Sequence, residues 1–536
     1  MSEQRLLLSG NEAVALAARD AGVRLGTGYP GTPSTEILEE FDALGGHAQW
    51  APNEKVALEV GIGVSWGGGR TLVTMKHVGV NVAADPLFTL AYTGVAAGLV
   101  IVSADDPGMA SSQNEQDNRR YAVASGVPML EPSDSQEAYD FALQAFTLSE
   151  MFSLPILFRM TTRVCHSKTV VKRKEPTAAP PSRAYQRDIP GRVMIPAYAR
   201  PAHRRLREKL HKVYDWTESC GLNYEILNDL SLGIITSGVT YMHAREAAPD
   251  ASFLKLGATY PIPVEKMRVF ASKVKRCLVI EEGDPYLEEA ARAAGIPVEG
   301  KSEAFRFGEL NVSRVRRILA GENTEPAPET AGGVPPRLCP TCPHRLVFMA
   351  LGRLGCVVAG DIGCYTLGVL PPFEAMDSCV CMGASIGVGL GLRHAMPDAE
   401  AKRVVSVIGD STFIHSGITG IVEMVYNPPK TGHVVIILDN GTTAMTGLQE
   451  HPGTGRALDH QPANQVIIEE ICRAIGVTDV HVVDPVASGV EEFESLVRKC
   501  LDNQKLTVIV ARRPCALLER KLKALNAASQ TVCSGT

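Results

Sequence analysis

Short apolar runs closed by glycine or polar turns recur along the chain. "LVTMK" (residues 72–76), "LVIVSA" (99–104) and "PILFRM" (155–160) read as buried strands, and "NEAVALAARDAG" (11–22) spaces its apolar positions as a helix does. Strands alternating with helices predict a parallel sheet covered by helices over residues 1–165. The most apolar window, residues 87–104, approaches membrane-spanning length, but Thr and Gly interrupt it. A helix that turns at Gly98 into the strand "LVIVSA" accounts for it better. Residues 166–230 are basic, Pro-rich and weakly periodic, and are expected to form a connecting segment. A second α/β unit is expected at 231–320, with strands at "LGIITSG" (232–238) and "RCLVIEEG" (276–283). The Pro-, Gly- and Glu-rich stretch at 321–337 reads as a linker. The last unit, 338–536, carries strand signals at "RVVSVIG", "HVVIILD" and "LTVIVAR".

Composition narrows the class. A chain of 536 residues exceeds one ordinary core and suggests roughly three or four domains. With 45% hydrophobic and 21% charged residues it reads as soluble and globular. A net charge of −6 argues against a nucleic-acid partner, and the basic stretch "YARPAHRRLREKLHK" (198–212) reads as a solvated linker or helix face. The N-terminus lacks a long apolar segment after a basic start, so the expected location is cytoplasmic, with no membrane partner. In that compartment the 13 cysteines are expected as thiols or ligands, not disulfides.

Three stretches carry candidate chemistry. In "VIGDSTFIHSG" (407–417) an apolar strand ends at Gly409 and Asp410 follows, where open α/β sheets place ligands. Gly409 would let the backbone approach a phosphate, and Ser411 opens the helix that follows. In "ILDNGTTAMTG" a second strand ends before Asn440, and the turn at Gly441–Thr442 exposes carbonyls. One carboxylate, one amide oxygen and one carbonyl suit magnesium shared with a diphosphate. The pair is similar to the thiamine-diphosphate motif. Such enzymes also need a carboxylate against the aminopyrimidine ring. Glu54 in "WAPNEKVALEVGIG" (50–63) opens an apolar helix and is the candidate, although acids are common in first helical turns. Glu59 reads as a helix-face charge. In "GYPGTPSTEI" (28–37), Thr35 or Ser34 caps the next helix and Thr32 is the candidate for substrate or cofactor. The third stretch, "CPTCPHR" (339–345), could hold zinc, form a redox disulfide or supply half of an iron–sulfur site.

The chain resembles the alpha subunits of indolepyruvate ferredoxin oxidoreductases, in the thiamine-dependent 2-oxoacid:ferredoxin oxidoreductase superfamily. The carrying motifs are "GYPGTPSTEI", "NEKVALEV", "VTMKHVGVNVAADPL", "DDPGMASSQNEQDNRRYA", "CPTCPHR", "GDIGCYTLG", "CMGASI", "GDSTFIHSGITG" and "LDNGTTAMTGLQEHPGTG", with "VIVARRPCAL" beyond them. The resemblance implies an α/β thiamine-diphosphate fold: two parallel-sheet cofactor domains, for pyrimidine and pyrophosphate, with a transketolase-C-terminal-like domain between. It implies oxidative decarboxylation of aryl pyruvates to aryl-acetyl-CoA, carbon dioxide and two electrons, a smaller beta subunit, and coenzyme A. By motif match Glu54 activates the cofactor, and Asp410, Asn440 and Thr442 hold magnesium. Gly409, Ser411, Met445 and Thr32 line the cofactor. Arg119 and His344 are tentative substrate contacts, and Lys76 and His77 are possible lining. Cys339, Cys342, Cys364 and Cys515 match the four ligands of a 4Fe–4S cluster; Cys356, Cys379 and Cys381 are rivals. The family's alpha subunits continue into a cysteine-rich, ferredoxin-like segment, which is expected to be lacking here because only Cys533 follows Cys515. The acceptor is then expected to be ferredoxin or another iron–sulfur or flavin chain. The alternative reading is a non-oxidative thiamine-dependent 2-oxoacid decarboxylase with zinc or nothing at the cysteines.

Overall fold

The computed structural model describes residues 4–175, 185–324 and 337–523. Most of the stretch expected as a linker, and Cys533, lie outside the described residues. The chain divides into two units, Met1–Thr330 and Ala331–Thr536.

In the first unit a seven-stranded sheet runs in the order Ala258–Tyr260, Met129–Leu130, Ile156–Thr161, Leu99–Asp105, Thr71–Lys76, Leu25–Gly28, Ala48–Trp50. All its pairings are parallel except that of Ala258–Tyr260 with Met129–Leu130. Strands Leu99–Asp105 and Ile156–Thr161 are buried along their whole length, as continuous apolar runs in a parallel sheet require. One face packs under the helices Gly10–Asp20 and Ser135–Phe152 through Ala13, Val14, Ala17, Ala142 and Phe146. Glu54–Trp66 covers the other, with Ala57 and Leu58 against Val73, Met75 and Ile101. The window at 87–104 resolves into the helix Ala84–Thr93 and the strand Leu99–Asp105. Among the described residues, no helix is long and apolar enough to cross a membrane.

Two features depart from the sequence expectation. Residues 166–230 hold the helix Pro196–Ser219, which buries Ala202, Leu206, Leu210, Val213 and Thr217. That is a helical stripe, but the arginines and lysines between its members hide it from a hydropathy reading. Leu206, Leu210 and Val213 join the core beneath the first sheet, each worth roughly 1.5–3 kcal/mol of burial. The second departure is Ala258–Tyr260, which lies inside the 231–320 interval yet forms the edge of the first sheet. The remaining strands of that interval, Asp229–Ser237, Ala251–Leu256 and Arg276–Val279, form a second sheet with Tyr224–Ile226.

The second unit is a five-stranded, all-parallel sheet in the order Val357–Ala359, Val404–Gly409, His433–Asp439, Leu506–Arg512, Asp479–Val483. The three central strands are nearly continuous Val and Ile, buried on both faces. Register aligns Gly409 with Leu438 and Asp439 with Arg512, so three loops leave the sheet side by side at one end.

Candidate cofactor sites

That strand-end alignment assembles the second unit's site. Asp410 is buried, and its Oδ2 accepts the Gly441 N–H at 2.8 Å, which ties the first loop to the second. Its Oδ1 accepts the Ser411 N–H at 2.8 Å. Asn440 Oδ1 accepts the Thr442 N–H at 3.0 Å, and Gly441 between them takes φ +70°. This turn needs a left-handed residue, and glycine supplies it without strain. Asp410, Asn440 and Thr442 therefore meet, all buried, as three oxygen-bearing residues at the carboxyl end of a parallel sheet.

His451 was not singled out by the sequence. Its Nε2 donates to Asp410 Oδ2 at 3.2 Å. Burial alone would raise the Asp410 carboxyl, but His451 and the two backbone N–H groups outweigh it and hold the group below the usual range. The same contact raises His451 despite its own burial. No local pattern links these residues, since helices through Tyr426, the strand His433–Asp439 and the loop after it lie between them. Asp361 was also missed: buried, it accepts N–H groups from Ile362, Gly383 and Ser385, and so fixes the start of the helix Ala384–Ala395.

Gly409 has a nearer reason than a phosphate. A Cβ there would stand 2.7 Å from the Tyr365 ring. Ser411 Oγ is bonded to Thr443 Oγ1 at 2.9 Å. Met445 is 51% exposed and makes no part of the buried arrangement.

The third loop brings Cys515, whose N–H donates to the Asn440 carbonyl at 2.9 Å. Cys515 joins Cys339, Cys342 and Cys364 around a cavity of about 70 Å³, which His344 and Asn440 also line. Cys339 and Cys342 come from the turn before the helix His344–Leu354, and Cys364 opens the turn Cys364–Val369. Burial pushes the Cys342 thiol up to about 12 and Cys364 to about 11; neighbouring sulfurs add to both. Among the described residues, no three of the four sulfurs lie within 4.8 Å of one another. The rivals are elsewhere: Cys379 and Cys381 are exposed, and neither they nor Cys356 line the cavity.

His344, expected as a tentative substrate contact, is turned inward. It is buried and stands 3.3 Å from Asn440 Nδ2 through Nε2. Burial lowers its pKa to about 4, although Asp410 opposes the shift, so the neutral ring accepts from the Asn440 amide. It links the cysteine cavity to the oxygen cluster.

In the first unit Glu54 is buried at the start of its helix, behind the N-cap Asn53, whose side chain accepts the Val56 N–H at 2.9 Å. A Cβ on Gly79 would fall 2.6 Å from Glu54 Oε1, so the glycine leaves the room this carboxylate occupies. Glu59 is a surface residue paired with Lys55. In the Thr32 turn, Ser34 makes no side-chain cap; Thr35 Oγ1 instead accepts the Gly31 N–H at 3.0 Å and closes the turn. Lys76 and His77 are buried at the end of the strand Thr71–Lys76.

Arg119, expected as a tentative substrate contact, is also turned inward. It is 1% exposed, and its guanidinium is committed to Asp117, to Glu281 Oε2 at 2.6 Å and to the Glu282 carbonyl at 2.8 Å. A buried arginine so matched has its charge balanced within the fold.

Comparison with known proteins agrees with both halves. Residues 16–216 match the family profile described as "Pyruvate flavodoxin/ferredoxin oxidoreductase, thiamine diP-bdg", and residues 361–511 match "Thiamine pyrophosphate enzyme, C-terminal TPP binding domain". The indolepyruvate oxidoreductase subunit IorA of Archaeoglobus fulgidus is 40% identical over 96% of this chain and 87% of its own length. That of Pyrococcus abyssi is 37% identical over 96% and 86%. A solved structure, the 2-oxoglutarate:ferredoxin oxidoreductase from Magnetococcus marinus, shares the fold with a TM-score of 0.52 at 17% identity, covering 60% of this chain and 65% of that one. This chain belongs to the indolepyruvate oxidoreductase IorA subunit family, and thus to the thiamine-diphosphate-binding oxidoreductases.

Proposed function

We propose that this chain is the catalytic subunit for oxidative decarboxylation of aryl pyruvates, giving an aryl-acetyl-CoA, carbon dioxide and two electrons. The observation that carries the oxidative reading is the set of four cysteines around one cavity beside Asn440. A mononuclear zinc site, with Zn–S near 2.3 Å, would need its sulfurs about 3.8 Å apart. No three of the four sulfurs come within 4.8 Å of one another, which favours a cluster over a single zinc ion. The oxygen donors fit magnesium and a diphosphate: a carboxylate from Asp410, an amide oxygen from Asn440 and the Thr442 carbonyl.

When bound, thiamine diphosphate supplies the electron sink for decarboxylation. The protein's share is orientation and proton control. Glu54 would hold a carboxylate for the aminopyrimidine ring, Asp410 and Asn440 would hold the metal, and His344 keeps the Asn440 amide turned by accepting from it. Cys339, Cys342, Cys364 and Cys515 would hold a 4Fe–4S cluster, which supplies one-electron chemistry when bound. A smaller beta subunit, coenzyme A and an iron–sulfur or flavin acceptor complete the reaction.

The test is anaerobic purification with the partner subunit, iron and thiamine counted, and a panel of 2-oxoacids assayed. Replacing Cys364 by Ser should remove iron, whereas replacing Cys379 should not. An iron-free protein that still decarboxylates 2-oxoacids would replace this reading with the non-oxidative one.

A further inference from the structure

Lys76 is nine-tenths buried at the carboxyl end of the first unit's sheet. Its Nζ donates to the Ser111 carbonyl at 2.6 Å and to Ser111 Oγ at 3.3 Å. An ammonium carries three donors, and a single residue takes up both of those used here. Among the described residues no carboxylate lies within ion-pair distance of it. The nearest acid acting on it, Asp106, is occupied by the Ser111 N–H and by the Ser111 and Ser112 hydroxyls.

A buried cation without a counter-charge is costly, and the other cations of this region avoid that cost. Arg119 meets Asp117 and Glu281, and Arg159 meets Asp105 and Glu131. Lys301 spends its donors on the carbonyls of Glu281 and Gly283. Lys76 makes no direct ion pair among the described residues, and burial lowers its pKa to about 8 although the Asp106 charge opposes the shift.

Its surroundings are those of the proposed site. The Lys76 stem packs against Gly31, where an added Cβ would stand 3.0 Å from its own Cβ. Ser111 Oγ lies 3.5 Å from the Thr32 carbonyl in that same turn. Three residues beyond Lys76, Gly79 packs against the Glu54 carboxylate. The structure assigns to Lys76 the task that the sequence gave to Arg119: receiving the carboxylate of the 2-oxoacid. This inference rests on the 2-oxoacid reading above.

The test compares wild type, Lys76→Met and Lys76→Arg as thiamine-diphosphate-loaded enzyme, with phenylpyruvate as substrate and its methyl ester as neutral competitor. A lost charge-assisted contact should raise KM about 30-fold in Lys76→Met. The turnover number should not fall, because the carboxylate leaves as carbon dioxide and a contact to it is weaker in the decarboxylation transition state than in the bound substrate. Lys76→Arg should recover most of the affinity, which also controls for folding. Inhibition by the ester should be the same in all three proteins. An unchanged KM in Lys76→Met, or ester inhibition that weakens in step with KM, would overturn the assignment. A wild type that turns over no 2-oxoacid would bring down the reaction itself, a distinct outcome.

Discussion

Gly79 offers a way to move the Glu54 carboxylate without touching its chemistry. A Cβ at position 79 would lie 2.6 Å from Oε1, 2.7 Å from Cγ and 2.9 Å from Cδ of Glu54. Comfortable carbon contacts begin near 3.5 Å, so the side chain must retreat by about 1 Å. Gly79→Ala should therefore cost about 1–3 kcal/mol in overpacking. Alanine's better helix propensity, about 1 kcal/mol, offsets part of this within the helix His77–Val82. Thermal stability should thus fall only slightly. Activity should not be spared: misplacing a catalytic group by about 1 Å costs on the order of 100-fold in rate. The assay is 2-oxoacid decarboxylation at saturating thiamine diphosphate, run in a cycle with Glu54→Gln. If Gly79 acts through this carboxylate, Gly79→Ala should change the residual rate of Glu54→Gln by less than about threefold. Equal losses in both backgrounds, or a fully active Gly79→Ala, would refute the reasoning.

Other residues give independent checks. Removing the imidazole that orients Asp410, by His451→Ala, should weaken magnesium-dependent cofactor binding about 10- to 100-fold in calorimetry, with His451→Gln recovering part; unchanged binding would detach His451 from the site. Glu282 tests the buried charge network. Burial raises its carboxyl to about 7, Leu310 N–H bonds Oε1 at 2.9 Å, and Oε2 has no hydrogen-bond partner. Between its ordinary value of 4.5 and about 7 the folded state holds a proton that the unfolded state has lost, so this group's contribution to stability falls as pH rises through that window. Glu282→Gln cannot ionise, and in denaturant melts it should gain on wild type from pH 5 to pH 8, by up to about 3 kcal/mol. Parallel melts across that range would show that the carboxyl is not held protonated.

What could be read directly from the chain was short-range. The turns at Gly409–Asp410 and Asp439–Asn440 follow strands whose apolar runs need no partner to be recognised, and both stand where expected. Glu54 likewise opens the helix its neighbours specify. The four cysteines were legible only through the family likeness, since nothing in the spacing of Cys342, Cys364 and Cys515 alone says that they meet. The helix Pro196–Ser219 was missed because its apolar stripe is thin and its outer face strongly basic.

Sequence by itself determined the parallel α/β architecture, the two diphosphate-type turns and the acid at a helix start, because hydrophobic periodicity and strand-end chemistry are local properties of the chain. Only the tertiary structure decided which charges are spent. Arg119 is matched by Asp117, two residues before it, and also by Glu281, far along the chain, which the local sequence does not show. Lys76, between Met75 and His77, makes no direct ion pair among the described residues and bonds only to Ser111. Packing alone presses Gly79 onto Glu54 and His451 onto Asp410. The partner of a buried charge is set by which distant segments fold against it, and no local pattern encodes that choice.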